Sequence, residues 1–163
     1  MTTNTDQRPL GVRPGVVLTD EQLCALRVLQ DYDLAPVRDR LLGEGSMPAG
    51  WVDEAIYEFR RYLGLSLMVP GRVPMLSRHV DHVWHTCLLF SRLYAAWCDE
   101  AFGRFLHHEP AVAPDPDPRA TWRTFEAAYE RLYGPLGRLW QMARPPKTRG
   151  VARRTSRSLS IDT

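Results

Sequence analysis

All five histidines of the chain, His79, His82, His85, His107 and His108, fall between residues 79 and 108, together with Cys87 and Cys98, two of its three cysteines. Imidazole is the commonest metal ligand and the side chain best suited to move protons near neutral pH. On a helix, Asp81 and His85 are four residues apart and share the edge of an apolar face. A carboxylate so placed can hydrogen-bond the imidazole, fix its tautomer and raise its basicity, which serves a metal ligand or a general base. His82 lies about a quarter-turn further from that face, and His79 further still. His107 and His108 are adjacent, so one of them can join His85 only if the chain folds back. Glu58, beside the apolar stripe of the preceding segment, is a second candidate carboxylate. Two histidines and a carboxylate from neighbouring elements suit Zn²⁺ or Fe²⁺. The candidate ligands are therefore His85, His107 and His108 with Glu58 or Asp81, and the candidate polar pocket is Glu58, Asp81, Trp84 and His85. The plainer reading makes Asp81–Trp84–His85 a structural cluster at the boundary of the core.

The motifs that would name a reaction are absent. There is no HExxH, Cys-x-x-Cys, GxSxG or phosphate-cradling glycine loop, and no Cys–His–Asn layout, so no catalytic residue can be assigned. Cys87 and Cys98 lie on the apolar face, where a free thiol acts as a small hydrophobe. Three cysteines at these spacings read as reduced thiols in a cytoplasmic protein. Trp84, Trp97, Trp122 and Trp140 sit at helical packing positions and read as core. Arg60, Arg61 and Arg92 read as solvated charges.

The formal net charge is only +2, with 21 basic and 19 acidic residues. Six of the basic residues (Arg144, Lys147, Arg149, Arg153, Arg154, Arg157) stand in the last twenty positions against Asp162, which leaves the body mildly acidic. The body thus offers no electrostatic footprint for nucleic acid. The tail reads as a solvated, disordered end, with contact to an anionic surface as its alternative use. No apolar run approaches the roughly 20 residues that span a bilayer, so no membrane is expected. The first fifteen residues lack the charged and apolar regions of a secretory signal. A single lysine, Lys147, beside twenty arginines suggests GC-rich, bacterial coding.

Periodicity supplies the elements that must position these residues. Thr19-x-x-Gln22 is a capping-box pattern that opens a helix with Leu23, Leu26 and Leu29 on its stripe. A short helix is expected around Leu34–Leu42, stopped by Gly43, Gly45 and Pro48. Val52, Ala55, Ile56, Phe59 and Leu63 predict a helix over 51–63. Residues 64–74 read as a connector. Ser77 caps a central helix running to about residue 99. The proline-rich run HEPAVAPDPDP, residues 108–118, forms an extended loop. Thr121 caps a last helix carrying Trp122, Phe125, Tyr129, Leu132, Leu136 and Leu139, with Gly134-Pro135 as its break or kink. No stretch alternates with period two. The sequence therefore predicts an all-α, compact bundle of about five helices: a disordered arm over 1–17, one helical domain over 18–143, and a disordered basic tail over 144–163.

VDHVWHTCLLFSRLYAAWCDEAFGRFLHH, with Asp81, Trp84, His85, Leu89, Tyr94, Cys98 and Gly103, resembles the core of the glycine-rich domain-containing protein-like family, whose members carry D-x-V-W-H-x-H-x-L followed by a Tyr, a Cys and a Gly. YEFRRYL, with Glu58 and Arg61, is similar to the helix preceding that motif. The resemblance covers about residues 52–108. Cys87 stands where the family has its second histidine, and the glycine-rich region is missing. The resemblance implies a family marker rather than an activity. Two functional expectations follow: an interaction or accessory module with a protein partner, in which the Asp–Trp–His cluster is structural, or a metal-binding protein or metal-dependent enzyme using Zn or Fe.

Overall fold

The computed structural model describes residues 8–109 and 113–146. Its helices are α1 (Asp20–Asp31), α2 (Ala35–Glu44), α3 (Ala49–Met68), α4 (Arg78–Leu89), α5 (Ser91–Phe102), α6 (Pro118–Tyr133) and the single turn α7 (Arg138–Gln141), with a 3-10 turn at Pro9–Gly11. The described residues contain no strand, and the fold is all-α as expected. No described helix is long and apolar enough to cross a membrane. α3 is the axis of the bundle: α1, α2, α4 and α6 all pack on it, while α5 packs on α1 and α2 on α4.

Several ends form as their residues dictate. The Thr19 hydroxyl accepts from Gln22 N–H at 3.1 Å, and the Gln22 side chain returns the bond at 3.0 Å, completing the capping box. Ser77 caps α4, and Gly45 ends α2 in the left-handed conformation (φ 62°) that a Cβ disfavours.

Three boundaries differ from the sequence reading, and at Gly134 the structure decides between the two outcomes it offered. α3 runs through 64–68, because Leu63, Gly64 and Leu65 are all buried and the periodicity survives the glycine. α6 starts earlier than Thr121: Asp117 is its cap, accepting from Ala120 N–H at 3.0 Å, with Pro118 in the first turn where no donor is lost. Gly134 (φ 87°) breaks the last helix rather than kinking it, so Leu139 and Trp140 reach the core from α7. The central helix is also two helices, split at Phe90 (φ −92°, ψ 56°). Trp84 Nε1 donates to the Tyr94 hydroxyl at 2.9 Å across this break. In an unbroken helix, residues ten apart are about 15 Å apart along the axis, so that bond requires the turn.

The disordered arm expected over 1–17 needs correction for its described part. Leu10 and Val12 are buried, Leu10 N–H donates to Gln30 Oε1 at 2.8 Å, and Arg13 N–H donates to Leu132 O at 2.9 Å. Two apolar residues in a turn give no periodic signal, which is why the sequence hides this docking. Residues 1–7 lie outside the described residues, as does the basic tail beyond 146. Within the tail's described start, Arg144 pairs with Glu126 at 3.3 Å.

Arg60 and Arg61 are not solvated charges. Arg60 donates to the carbonyls of Leu29, Gln30 and Tyr32, closing the C-terminus of α1, where a cation also meets the negative end of the helix dipole. Arg61 lies against the rings of Tyr57 and Tyr133, at 4.5 and 5.0 Å from their centres. It pairs with buried Glu58 at 3.5 Å and donates to Leu10 O at 2.9 Å.

α3 meets α1 and α6 closely at Gly64, where an added Cβ would lie 2.5 Å from the Tyr133 hydroxyl and 2.8 Å from Leu26 Cδ2. Gly64→Ala should therefore lower the unfolding free energy by about 1–3 kcal/mol, the usual cost of overpacking, despite alanine's better helix propensity. Urea denaturation checks this, and an unchanged or raised midpoint would show that the contact relaxes freely.

Candidate metal centre

The candidate residues come together through the turn at Phe90 and the return of the chain after α5. Gly103 (φ 63°) ends α5 in a left-handed cap, and residues 105–109 then run without helix or turn beside α4. Two side chains hold them there. The Tyr94 hydroxyl accepts from Trp84 Nε1 and donates to Leu106 O, both at 2.9 Å. The Phe105 ring meets Tyr94 edge-on at 5.1 Å. Burial pushes the Tyr94 hydroxyl far above the usual phenol range, so it keeps the proton with which it donates.

The next inward residue is His108. Its ring lies 4.3 Å, centre to centre, from that of Trp84, and its side chain is only 11% exposed. This places His108 Nε2 at 2.7 Å from Asp81 Oδ1 and at 3.0 Å from His85 Nε2, while His85 Nε2 stands 3.6 Å from Asp81 Oδ2. The three ligand atoms all lie within 4.8 Å of one another. The anticipated Asp81–His85 pairing is thus present but longer than a hydrogen bond, and the closer partner of the carboxylate is His108.

The arrangement has one chemical peculiarity. A neutral imidazole nitrogen either donates or accepts, and a carboxylate only accepts. His108 Nε2 faces both Asp81 and His85, and a proton on it can serve the carboxylate while the tautomer of His85 decides whether that ring donates or accepts. One cation at the centre of the triangle satisfies all three. Bonds of about 2.0–2.1 Å in a tetrahedral site put ligand atoms roughly 3.3 Å apart; the two imidazole nitrogens stand 3.0 Å apart, and one carboxylate oxygen lies within 4.8 Å of both. Exposure rises from 11% at His108 through 31% at Asp81 to 57% at His85, so the triangle is anchored on one side and open to solvent on the other.

The other candidates lie elsewhere. His107 is exposed, its ring tilted against Phe105 with centres 4.8 Å apart, and it is not among the residues whose ligand atoms converge. Glu58 belongs to the core: its Oε2 accepts from the Tyr129 hydroxyl at 2.5 Å and from Trp140 Nε1 at 2.7 Å. Sequence placed Glu58 beside the apolar stripe, but its partners come from α6 and α7, more than seventy residues later. His82 ties α4 to the end of α2, with Nε2 at 2.8 Å from Ser46 Oγ and 3.1 Å from Glu44 Oε2. His79 packs edge-on against Trp51 at 5.4 Å, and burial lowers its basicity. The part played by Tyr94 was not anticipated. Its one sequence signal is its place on the apolar face of the central helix, which does not reveal the turn at Phe90.

A family model, UCP032817-like, matches residues 29–130, and the chain belongs to that family. This overturns the resemblance to the glycine-rich domain-containing protein-like family, whose W-H-centred pattern is too short to discriminate between helical families. No curated protein and no solved structure matches the chain. Nor does Cys87 replace a metal-binding histidine: it is fully buried, and burial pushes its thiol up to about 12.

Two predictions follow from this geometry. Because Cys87 and Cys98 are buried while Cys24 is exposed, native protein at neutral pH should take up one equivalent of a thiol-alkylating reagent rapidly, and three after denaturation. Rapid labelling of two or three thiols would show that the α4–α5 contact opens readily. Tyr94→Phe strands a buried indole N–H and a carbonyl, at a cost of about 1–3 kcal/mol in urea denaturation; a neutral effect would mean that the 105–108 segment is held by packing alone.

Proposed function

We propose that Asp81, His85 and His108 bind one divalent transition-metal ion, Zn²⁺ or Fe²⁺, in a small helical protein of the cytoplasm. The observation that carries this reading is that one atom each of Asp81, His85 and His108, all able to bind a metal, lie within 4.8 Å of one another. Two imidazoles and one carboxylate are the donor set both ions accept. Trp84 and Asp81 set the direction of His108 before any ion arrives, so little order is lost at that ligand on binding. The free thiols fit a reducing compartment. Three ligands leave at least one position open, as in catalytic rather than closed structural sites.

A second reading keeps the chain as an accessory module whose Asp–Trp–His cluster is structural. The exposure of His85 favours it, since a proton on either imidazole would then settle the triad without metal.

Metal analysis and calorimetric titration of untagged protein separate the two. The expected result is one Zn²⁺ or Fe²⁺ per chain, lost in His85→Ala and in His108→Ala. Affinity should fall on acidification, because protons compete for the imidazoles. His85→Ala should leave the metal-free fold within about 0.5 kcal/mol of the parent, as an exposed substitution does. Metal-free protein that neither binds these ions nor changes its melting temperature when they are added would leave the accessory reading standing.

A further inference from the structure

We propose that Arg72 is a positioning residue for the metal site: its guanidinium holds residue 109 and so keeps His108 in reach of Asp81 and His85. The proposal rests on the metal reading of Asp81, His85 and His108.

His108 lies on a segment with little structure of its own. Residues 105–109 form neither helix nor turn, and among the described residues no main-chain hydrogen bond joins them to another element. Side chains therefore fix their path. Before His108, the Tyr94 hydroxyl donates to Leu106 O at 2.9 Å. After it, Arg72 Nη2 donates to the carbonyl of Glu109, and Arg72 Nη1 stands 3.4 Å from Glu109 Oε2. His108 is thus held between two fastened neighbours, and the outer fastening is a single side chain.

The base from which Arg72 reaches is itself fixed. Arg72 follows Gly71, whose left-handed backbone (φ 85°) turns the connector between α3 and α4. It precedes Val73, which is buried and whose carbonyl accepts from the Tyr62 hydroxyl at 2.8 Å. Tyr62 packs on Trp84 with ring centres 5.5 Å apart, and Trp84 carries the His108 ring at 4.3 Å. Both ends of the clasp are therefore referred to the same indole. Without the clasp, residues 107–109 sample more positions in the metal-free chain, and ordering them on binding costs affinity.

Charge alone predicts the opposite effect, which makes the sign of the result decisive. Arg72 and Glu109 are both exposed and neutralise one another. Removing the guanidinium leaves that carboxylate unbalanced one residue from a ligand, where it would attract a divalent cation. A residue that acts through position weakens binding when it is lost, and one that acts through charge strengthens it.

The test is the Zn²⁺ affinity of untagged, full-length parent, Arg72→Ala and Arg72→Lys by calorimetric competition with a chelator, together with proton NMR of the same proteins free of metal. In the parent, the His108 ring protons (assigned by their loss in His108→Ala) should lie upfield of their positions in the unfolded chain, because they sit against the Trp84 ring. Arg72→Ala should bind Zn²⁺ roughly fivefold more weakly, the factor of a surface ion pair at the upper end of its usual strength. Its His108 signals should move toward the unfolded positions, while the urea midpoint of the metal-free protein stays where it was. Arg72→Lys keeps the charge without the two-pronged grip and should recover only part of the affinity. An Arg72→Ala protein that binds Zn²⁺ as tightly as the parent or more tightly overturns the proposal and leaves the metal site intact, as does weaker binding with the His108 signals unmoved. Parent protein that binds no Zn²⁺ overturns both.

Discussion

The hydroxyl of Tyr94 is the point on which this structure turns. It takes one hydrogen bond from Trp84 and gives one to the carbonyl of Leu106, both at 2.9 Å. The first bond joins α4 to α5 across the break at Phe90. The second brings the chain after α5 back beside α4. A buried hydroxyl that left either partner unpaired would cost about as much as a single core truncation, so the two bonds are made together. The arrival of His108 over Trp84 is a consequence of both. The proposed site therefore depends on a tyrosine that contributes no ligand to it.

The charged groups of α3 do different work. Glu58 is buried with its carboxylate satisfied by Tyr129, Trp140 and Arg61, and Arg61 in turn holds the carbonyl of Leu10. A buried carboxylate is tolerated when donors surround it. Tyr129 and Trp140 come from α6 and α7 and Arg61 from α3 itself, so the network fastens the C-terminal helices and the N-terminal turn to the axis of the bundle. Burial and the negative charge of Glu58 raise the Tyr129 hydroxyl well above its ordinary range, which keeps it a donor. Gly137 approaches the same carboxylate, with 3.4 Å between its added Cβ and Glu58 Oε1. The sequence shows a glutamate next to an apolar stripe, and nothing local distinguishes a core anchor from a metal ligand.

What could be read from the chain was whatever depends on neighbours within a turn or two. The capping box at Thr19, the cap at Ser77, the stop at Gly45 and the stripe of α3 all arise within a few residues. Asp81 and His85 were legible for the same reason, since four residues on a helix fix their proximity. His108 was legible only as a choice between two neighbours, because selecting it requires knowing that the chain returns and which side of the extended segment faces α4. Arg60 was read as solvent-facing because its partners are carbonyls at the end of a helix some thirty residues earlier. The break at Phe90 was missed because the apolar periodicity of α4 continues into α5 with almost no phase error, although the two faces pack on different helices.

The separation of anchor and opening bears on how a site of this kind could work. His108 and Asp81 are positioned by packing and hydrogen bonds made before any ion is present, so they form a rigid edge. His85 is the most exposed of the three, with its close contact to His108 at 3.0 Å. A bound ion would draw the imidazole toward Asp81 and His108. That places the exposed ligand on the solvent side, where water or another molecule exchanges. A buried histidine in its place would give tighter holding and slower exchange. The exposure of His85 is thus the feature that would leave the site accessible to a fourth ligand from solvent.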